Sequence, residues 1–565
     1  MVTDVQYLSA MAAAAGVASH LLFFIHGEYH IHATYVLGSC TLLVIGPYAY
    51  IFLGSSAATN VSLTPGQIGL LQAIYFAFLL GSIVAYRLLF HRTRHFPGPK
   101  LAALTKLYHA AQARDSKQYL WLDALQKQYG DYVRTGPNEI TIFHPDAILP
   151  IHGPDSACTK SAWYDNLWPV IAVVTTRSRA EHDQRRQLWD YGYSIKALAT
   201  YEPTILEHAK LVEKAISEHE DQPVNVTRWF EYFGFDVMGV IQYSQSFRML
   251  ERRSNHWVLD TFKKGTVVLG YFSAVPWLIH ILRFAQWVGD GKGMKENNQW
   301  SVDSILQRVE KHDDLKKKQA DKNISGVKHV DVIGWLIDEA HAKKGGIQAD
   351  WNWLVGDFLT MVTGGTEPVI AALIFLFYHL VQEPQHAAAV RAEIATLSSY
   401  ADTTQLNRLE HLTGCVYETF RLHPSIPSGG LRVTPREGLM IGDRFIPGNT
   451  TVLTPQYTLA RREDCFEHAD GFVPERWTTR PNMVRNKVAF MPWGVGPYMC
   501  AGKNLGLMEI RTLTVLLLDN FDISFAPKED GTNLHENTLD CFATIPGELW
   551  LQFKRRAPDA KIPRA

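Results

Sequence analysis

Between Glu28 and Arg87 the chain carries no Asp, Glu, Lys or Arg. A water-soluble surface does not tolerate a charge-free stretch of that length, so this part must meet lipid or be deeply buried. Three apolar runs occupy it and its approach: Leu8–Ile25, Ala33–Leu53 and Ile68–Phe90. Each has about the ~20 residues that a helix needs to cross a bilayer. Asp4 stands where a cleaved signal would be basic, and the apolar character does not end after one run. The runs predict a membrane anchor over residues 1–95 with about three spans. The alternative is that one run, first of all the one containing His20, lies on the membrane surface.

The flanks set the orientation. Arg87, His91, Arg92, Arg94 and Lys100 follow the third run, and only Asp4 precedes the first. Cations stay on the cytosolic side, which puts the downstream domain in the cytosol and the N-terminus in the lumen. The loop with the N-glycosylation sequon Asn60-Val61-Ser62 is then luminal too. Phe96-Pro97-Gly98-Pro99 fixes an extended exit from the membrane, so the soluble domain is expected over residues 96–565.

With 55 basic against 56 acidic residues, the chain has no charge excess for gripping nucleic acid. Its 47% apolar and 12% aromatic content supports a large core. The six cysteines are scattered with no C-x-x-C pair, which argues against a zinc ribbon, a redox dithiol or a disulfide scaffold. The soluble part reads as mainly α with small β-sheets. Asp350–Val381 is apolar and too long for a strand, hence a buried central helix. Leu409–Leu422 is an amphipathic helix stopped at His423-Pro424, and Leu505–Leu518 is another apolar helix. Leu431–Thr434, Leu439–Ile441 and Thr451–Leu453 read as short strands, and Asp313–Lys322 as a solvated helix end or loop. Gly494, Gly496 and Gly502-Lys503 mimic a phosphate loop, but Pro497 and Asn504 break that pattern. No G-x-G-x-x-G follows a strand, so no flavin or nicotinamide site is predicted.

Phe490-Met-Pro-Trp-Gly-Val-Gly-Pro-Tyr-Met-Cys500-Ala-Gly-Lys is a proline-pinned loop running into a helix. Cys500 stands at the helix N-terminus, where free N–H groups favour a thiolate, and Gly496 and Gly502 leave room for a planar group. A thiolate so held suits heme iron as an axial ligand; the alternative is a small buried hydrophobe. Upstream, Glu418 and Arg421 share a helical face, and Phe472-Val-Pro-Glu-Arg476-Trp477 supplies another arginine.

In this order the motifs resemble those of the cytochrome P-450 family, the heme-thiolate monooxygenases, over essentially all of residues 96–555. The resemblance implies that family's fold preceded by transmembrane helices. Glu418, Arg421 and Arg476 would form a buried ion-pair network, and Cys500 would be the proximal iron ligand. His182, Arg186 and Arg432 would face the propionates of heme b. Two departures fall in the cysteine loop: Tyr498 replaces the usual Arg and Trp493 the usual Phe. The first exchanges a propionate cation for a phenol hydrogen bond; the second is an added N–H donor or a plain core aromatic.

Thr363-Gly364-Gly365-Thr366-Glu367-Pro368 is similar to the family's oxygen-binding stretch, with Pro368 in place of the usual Thr. Proline cannot donate to the Gly364 carbonyl, so the helix is expected to open there. Proton delivery then falls to Glu367, ordered water and a substrate hydroxyl, with Gly364 and Thr366 beside it; alternatively Pro368 is only a kink. The aromatic region Phe247–Trp287, with Phe272, Trp277 and Phe284, is expected to be a membrane-facing substrate lid or simply core.

The resemblance also implies a lipophilic small-molecule substrate, dioxygen, and electrons from NADPH through a separate NADPH-cytochrome reductase. It places the protein in the endoplasmic reticulum membrane, multi-pass, with a cytosolic catalytic domain. The three-span start, with Trp493 and Tyr498, is similar to fungal enzymes of secondary metabolism of the tryprostatin B hydroxylase-like group. Two other readings stay open: a reductase-independent heme-thiolate isomerase or dehydratase, and a non-catalytic membrane heme-binding protein.

Overall fold

The computed structural model describes residues 2–53, 63–288, 292–321 and 331–556; the sequon at Asn60 lies outside them. The three apolar runs form helices Val2–Ser19 (α1), Ala33–Leu53 (α2) and Pro65–Ala85 (α3). Thr64 starts α3 with a reciprocal capping box to Gln67 and a proline at the first turn. Gly16 packs against the Tyr75 carbonyl, and His20 Nδ1 meets Ser82 Oγ at 2.8 Å, so α1 runs parallel to α3. Gln72 donates to the carbonyls of Leu43 and Val44, while Gly69 lies by Tyr48, so α2 runs antiparallel to α3. The exposed faces carry Leu22, Tyr35, Leu42, Phe52 and Phe78. That pattern suits lipid contact and membrane anchoring.

The remainder is mainly helical with small sheets. The helices that frame the site are Arg179–Gly192 (α4), Ile195–Ser217 (α5), Val226–Tyr243 (α6), Trp257–Phe272 (α7), Pro276–Val288 (α8), Trp351–Gln382 (α9), Pro384–Ile394 (α10), Glu410–Leu422 (α11) and Lys503–Asn520 (α12). The charged Asp313 stretch ends the helix Lys292–Asp321. A five-stranded sheet has the order β1-β2-β5-β4-β3, with strands Tyr132–Gly136 (β1), Glu139–Ile142 (β2), Thr159–Lys160 (β3), Arg432–Val433 (β4) and Thr451–Leu453 (β5). The β2–β5 pair is parallel and the rest antiparallel.

Helix α9 is long and apolar enough to cross a membrane, but it is the centre of the core. It packs on α6, where Gly234 admits Ile370 and Gly365 admits Met238. Arg185 of α4 clamps the other side of α9, bonding Asp357 at 2.6 Å and Asp350 at 2.8 Å. Burying each large apolar side chain here, among them Phe230, Phe358 and Phe377, stabilises the fold by about 1.5–3 kcal/mol.

Candidate active site

A cavity of about 1380 Å³ lies between α4, α7, α9, the cysteine loop and the start of α12. His182, Arg186, Arg432, Gly364, Glu367, Pro368, Trp493, Tyr498 and Cys500 all line it. Thr366 does not: it is fully buried, and its hydroxyl donates to the Val362 carbonyl at 2.6 Å. Its expected place in the proton-delivering stretch is therefore corrected; the neighbouring Glu367 and Gly364 face the cavity because they lie on the other side of the turn.

The cysteine loop turns through Gly494 and Gly496, both at φ 68°. A Cβ on Gly496 would come within 2.4 Å of the His152 carbonyl, so this glycine makes room for protein backbone and not for a planar ligand. Gly502 does open on the cavity, as does Gly506 one turn into α12. The Cys500 N–H donates to the Trp493 carbonyl at 2.8 Å, which closes the loop. The Cys500 side chain is exposed to the cavity that it lines. Burial raises the Cys500 thiol pKa, against the opposing pull of the Gly502 and Lys503 N–H groups and of Arg186. The N–H groups at the helix start thus favour the thiolate as expected, while burial opposes them; a coordinating metal deprotonates a thiol outright.

Ser178 caps α4, accepting the Glu181 N–H, and the helix aims His182 and Arg186 at the cavity wall. His182 Nδ1 is 2.9 Å from Asp183, and Arg186 bonds Asp190 at 2.8 Å and the Met499 carbonyl. On the sheet, Lys160 of β3 pairs in register with Arg432 of β4. Both are buried basic side chains, and no carboxylate pairs with either among the described residues. Lys160 Nζ has only the carbonyls of Val173 and Val174, at 3.0 and 2.7 Å. Burial, then Arg432, pulls its pKa down to about 6. Arg432 donates to Tyr164 at 2.8 Å, yet its Nε has no partner, nor has Trp493 Nε1. Tyr498 makes no compensating phenol bond to these groups. Its ring carries Lys160 at 4.7 Å and Arg432 at 4.9 Å on cation–π contacts. Sequence reasoning missed Lys160, which the cross-strand register alone brings in. It also missed Glu509 of α12, a cavity-lining carboxyl with both oxygens unpartnered and its pKa raised by burial well above the usual range.

On the opposite wall α9 passes through Pro368 without interruption. The expected opening is not a break in the helix; what the structure shows at Gly364 is open space, with nothing within 4 Å of a Cβ position. Glu367 has its pKa pushed up to about 7 by burial, with Lys263 and Thr266 of α7 opposing and Glu231 reinforcing the shift. Glu367 lines the cavity, and Lys263 bonds Glu231 at 2.5 Å. Of the lid region, α7 and α8 supply Phe262, Leu269, Leu282 and Phe284 to the cavity, whereas Phe272 and Trp277 stay outside it.

Away from the cavity, Glu418 accepts from Arg421 at 2.7 and 3.0 Å, Arg476 at 3.0 Å, Trp477 Nε1 at 2.8 Å and the Val473 N–H at 3.0 Å. All three charged side chains are fully buried. This network ties α11 to the 474–477 turn.

A flat tetrapyrrole with two carboxylates fits what the wall presents. The sulfur would be a soft donor to iron, the glycines at 502 and 506 leave space on the wall, and the buried basic pair Lys160 and Arg432, without a carboxylate partner, suits an anion.

The Cytochrome P450 family model matches residues 97–553. The chain is similar to the cytochrome P450 monooxygenase lcsK of Purpureocillium lilacinum, 33% identical over 558 residues, covering 97% of this chain and 98% of that relative. It is also similar to tryprostatin B 6-hydroxylase of Aspergillus fumigatus, 32% identical over 94% of both chains. Among solved structures, the cytochrome P450DA heme domain matches with a TM-score of 0.63 at 17% identity, covering 80% of this chain and 95% of that one. A match of this extent settles the affiliation: the chain belongs to the cytochrome P450 family of heme b monooxygenases.

Proposed function

We propose that this monooxygenase hydroxylates, or otherwise oxidises, a lipophilic small molecule in fungal secondary-metabolite biosynthesis, with electrons from a separate NADPH-cytochrome reductase. The observation that carries the reading is the cavity rim. Ile31 and Thr34, between and within the anchor helices, share the cavity lining with Phe284, Leu282 and Ile279 of α8. A substrate partitioned into lipid would reach such a rim without crossing water. The relatives lcsK and tryprostatin B 6-hydroxylase support a fungal biosynthetic setting.

In this reading heme b, when bound, supplies the iron at which dioxygen is activated with two electrons. Cys500 Sγ would hold the iron. Lys160 Nζ, Arg432 Nε, His182 and Arg186 would neutralise and orient the propionates, with the Tyr498 ring packed against Lys160 and Arg432. Trp493 Nε1 is a donor aimed at the same wall. Gly364 leaves space at the oxygen side. Glu367, its pKa raised to about 7, would carry the proton that the missing Thr hydroxyl would relay.

The anchor is read as multi-pass in the endoplasmic reticulum membrane, with the catalytic domain cytosolic. Support comes from Arg177, which bonds Glu28 at 2.6 Å and Asp165 at 2.8 Å, while His30 meets Asp165 at 2.8 Å. These contacts hold the α1–α2 connection on the same side as the catalytic domain, as three spans require.

The test is oxygen-18 incorporation by the full-length protein in microsomes with reductase, fed tryprostatin B and related lipophilic metabolites. Label in a product that forms only with NADPH and reductase is expected. Turnover without either would favour an isomerase or dehydratase.

A further inference from the structure

Three donor atoms converge far from the cavity. His386 stands in α10, His411 in the first turn of α11 and Glu475 in the turn Pro474–Trp477. His386 Nδ1 is 3.1 Å from His411 Nε2 and 3.8 Å from Glu475 Oε1, and all three ligand atoms lie within 4.8 Å of one another. None of the three residues lines the cavity.

A tetrahedral zinc with arms of about 2.0–2.1 Å sets its ligand atoms about 3.3–3.4 Å apart. The two spacings bracket that edge. The second nitrogen of His386 is also engaged: Nε2 lies 3.4 Å from the carboxylate of Glu383. A metal-bound histidine characteristically gives its other N–H to a carboxylate, which fixes the tautomer. His411 is held at its backbone, because Glu393 accepts the N–H groups of His411 at 2.7 Å and Leu412 at 3.1 Å. No Lys or Arg pairs with Glu383 or Glu475 among the described residues. The comparable group Glu28, His30 and Asp165 differs on this point, since Arg177 already fills the place of a cation there. His386 is buried while His411 and Glu475 are half-buried, which leaves a solvent path for an ion and for a fourth, exchangeable ligand.

We propose that His386, His411 and Glu475 form a divalent transition-metal site, with Zn2+ as the ion that its two imidazoles and one carboxylate suit. The ion would pin α10 to α11 and to the 474–477 turn, and the latter two segments carry Glu418 and Arg476. This inference stands whether or not the proposed substrate class is right.

The test uses the full-length, heme-loaded enzyme in detergent, so that Cys500 is already engaged. The protein is stripped with chelator, given Zn2+, desalted and analysed for the Zn:Fe ratio. A ratio near about one is expected, with zinc-edge absorption showing N/O ligands at about 2.0–2.1 Å and a melting temperature that rises with Zn2+. His411→Gln keeps a hydrogen-bonding side chain but no imidazole; it and Glu475→Gln are each expected to weaken Zn2+ binding by at least about tenfold and to lose the thermal shift. A wild-type Zn:Fe ratio below about 0.1 after desalting would overturn the proposal. So would equal Zn2+ affinity in wild type and either folded variant, because the ion would then be held elsewhere.

Discussion

Replacing Glu367 with Gln isolates the carboxyl on which proton delivery is taken to rest. In the folded protein its pKa is pushed up to about 7, against an ordinary 4.5. At about 1.36 kcal/mol per unit, the folded state disfavours the ionised form by about 3 kcal/mol. The sign follows from proton counting: between those two values the native state binds more protons than the unfolded chain, so stability falls as pH rises through the window. Below about pH 4.5 the penalty is absent, and above about pH 7 it is complete. Gln does not titrate and carries no such loss. With about 2.1 cal/mol/K per residue over residues 97–553, unfolding entropy is about 1 kcal/mol/K, so 3 kcal/mol corresponds to about 3 °C. The assay is thermal unfolding of the heme-loaded protein by tryptophan fluorescence at pH 5 and pH 8. Glu367→Gln should gain about 3 °C on the wild type between those two conditions. A wild-type-to-variant gap that is equal at both pH values would show that Glu367 ionises normally, and the proton-shuttle argument would fail with it. The same variant should divert NADPH from product to peroxide.

Lys160→Met removes a buried amine that lacks a carboxylate partner and that a propionate would hold protonated. Loss of one charged hydrogen bond to a propionate, about 1.5 kcal/mol, should speed heme transfer to apomyoglobin about tenfold, while the apoprotein melts no lower than wild type. Glu418→Gln strands two buried guanidinium groups and should cost about 3–5 kcal/mol, read as a drop of about 3–5 °C in melting temperature. A drop under about 1 °C would mean that the network is dispensable. Pro368→Thr places a hydroxyl beside Gly364 and should change the ratio of peroxide to product; an unchanged ratio counts against Glu367 as the route.

Features that depend on local sequence were legible before the fold. The apolar runs in and before the charge-free stretch matched the three N-terminal helices, and the spacing of Glu418, Arg421, Arg476 and Cys500 pointed to one architecture. What stayed hidden depends on long-range registry. Lys160 reaches the site only because β3 pairs with β4, across a separation no periodicity reveals. Glu509 reads as one polar residue of an apolar helix until α12 turns it to the cavity. Two local arguments also lost to tertiary context. Burial outweighed the helix N-terminus at Cys500, and packing of α9 on α6 carried the helix past Pro368 where its missing N–H predicted an opening. Gly496 was assigned the right conformational freedom for the wrong neighbour, the backbone at His152.

The ferrous carbonyl spectrum of the purified, heme-loaded protein speaks most directly to sulfur ligation. Wild type should show the red-shifted band of a thiolate-bound iron, and Cys500→Ser should bind heme without it. A wild-type band at the position typical of nitrogen-ligated heme, or a red-shifted band that survives in Cys500→Ser, would contradict the assignment of Cys500.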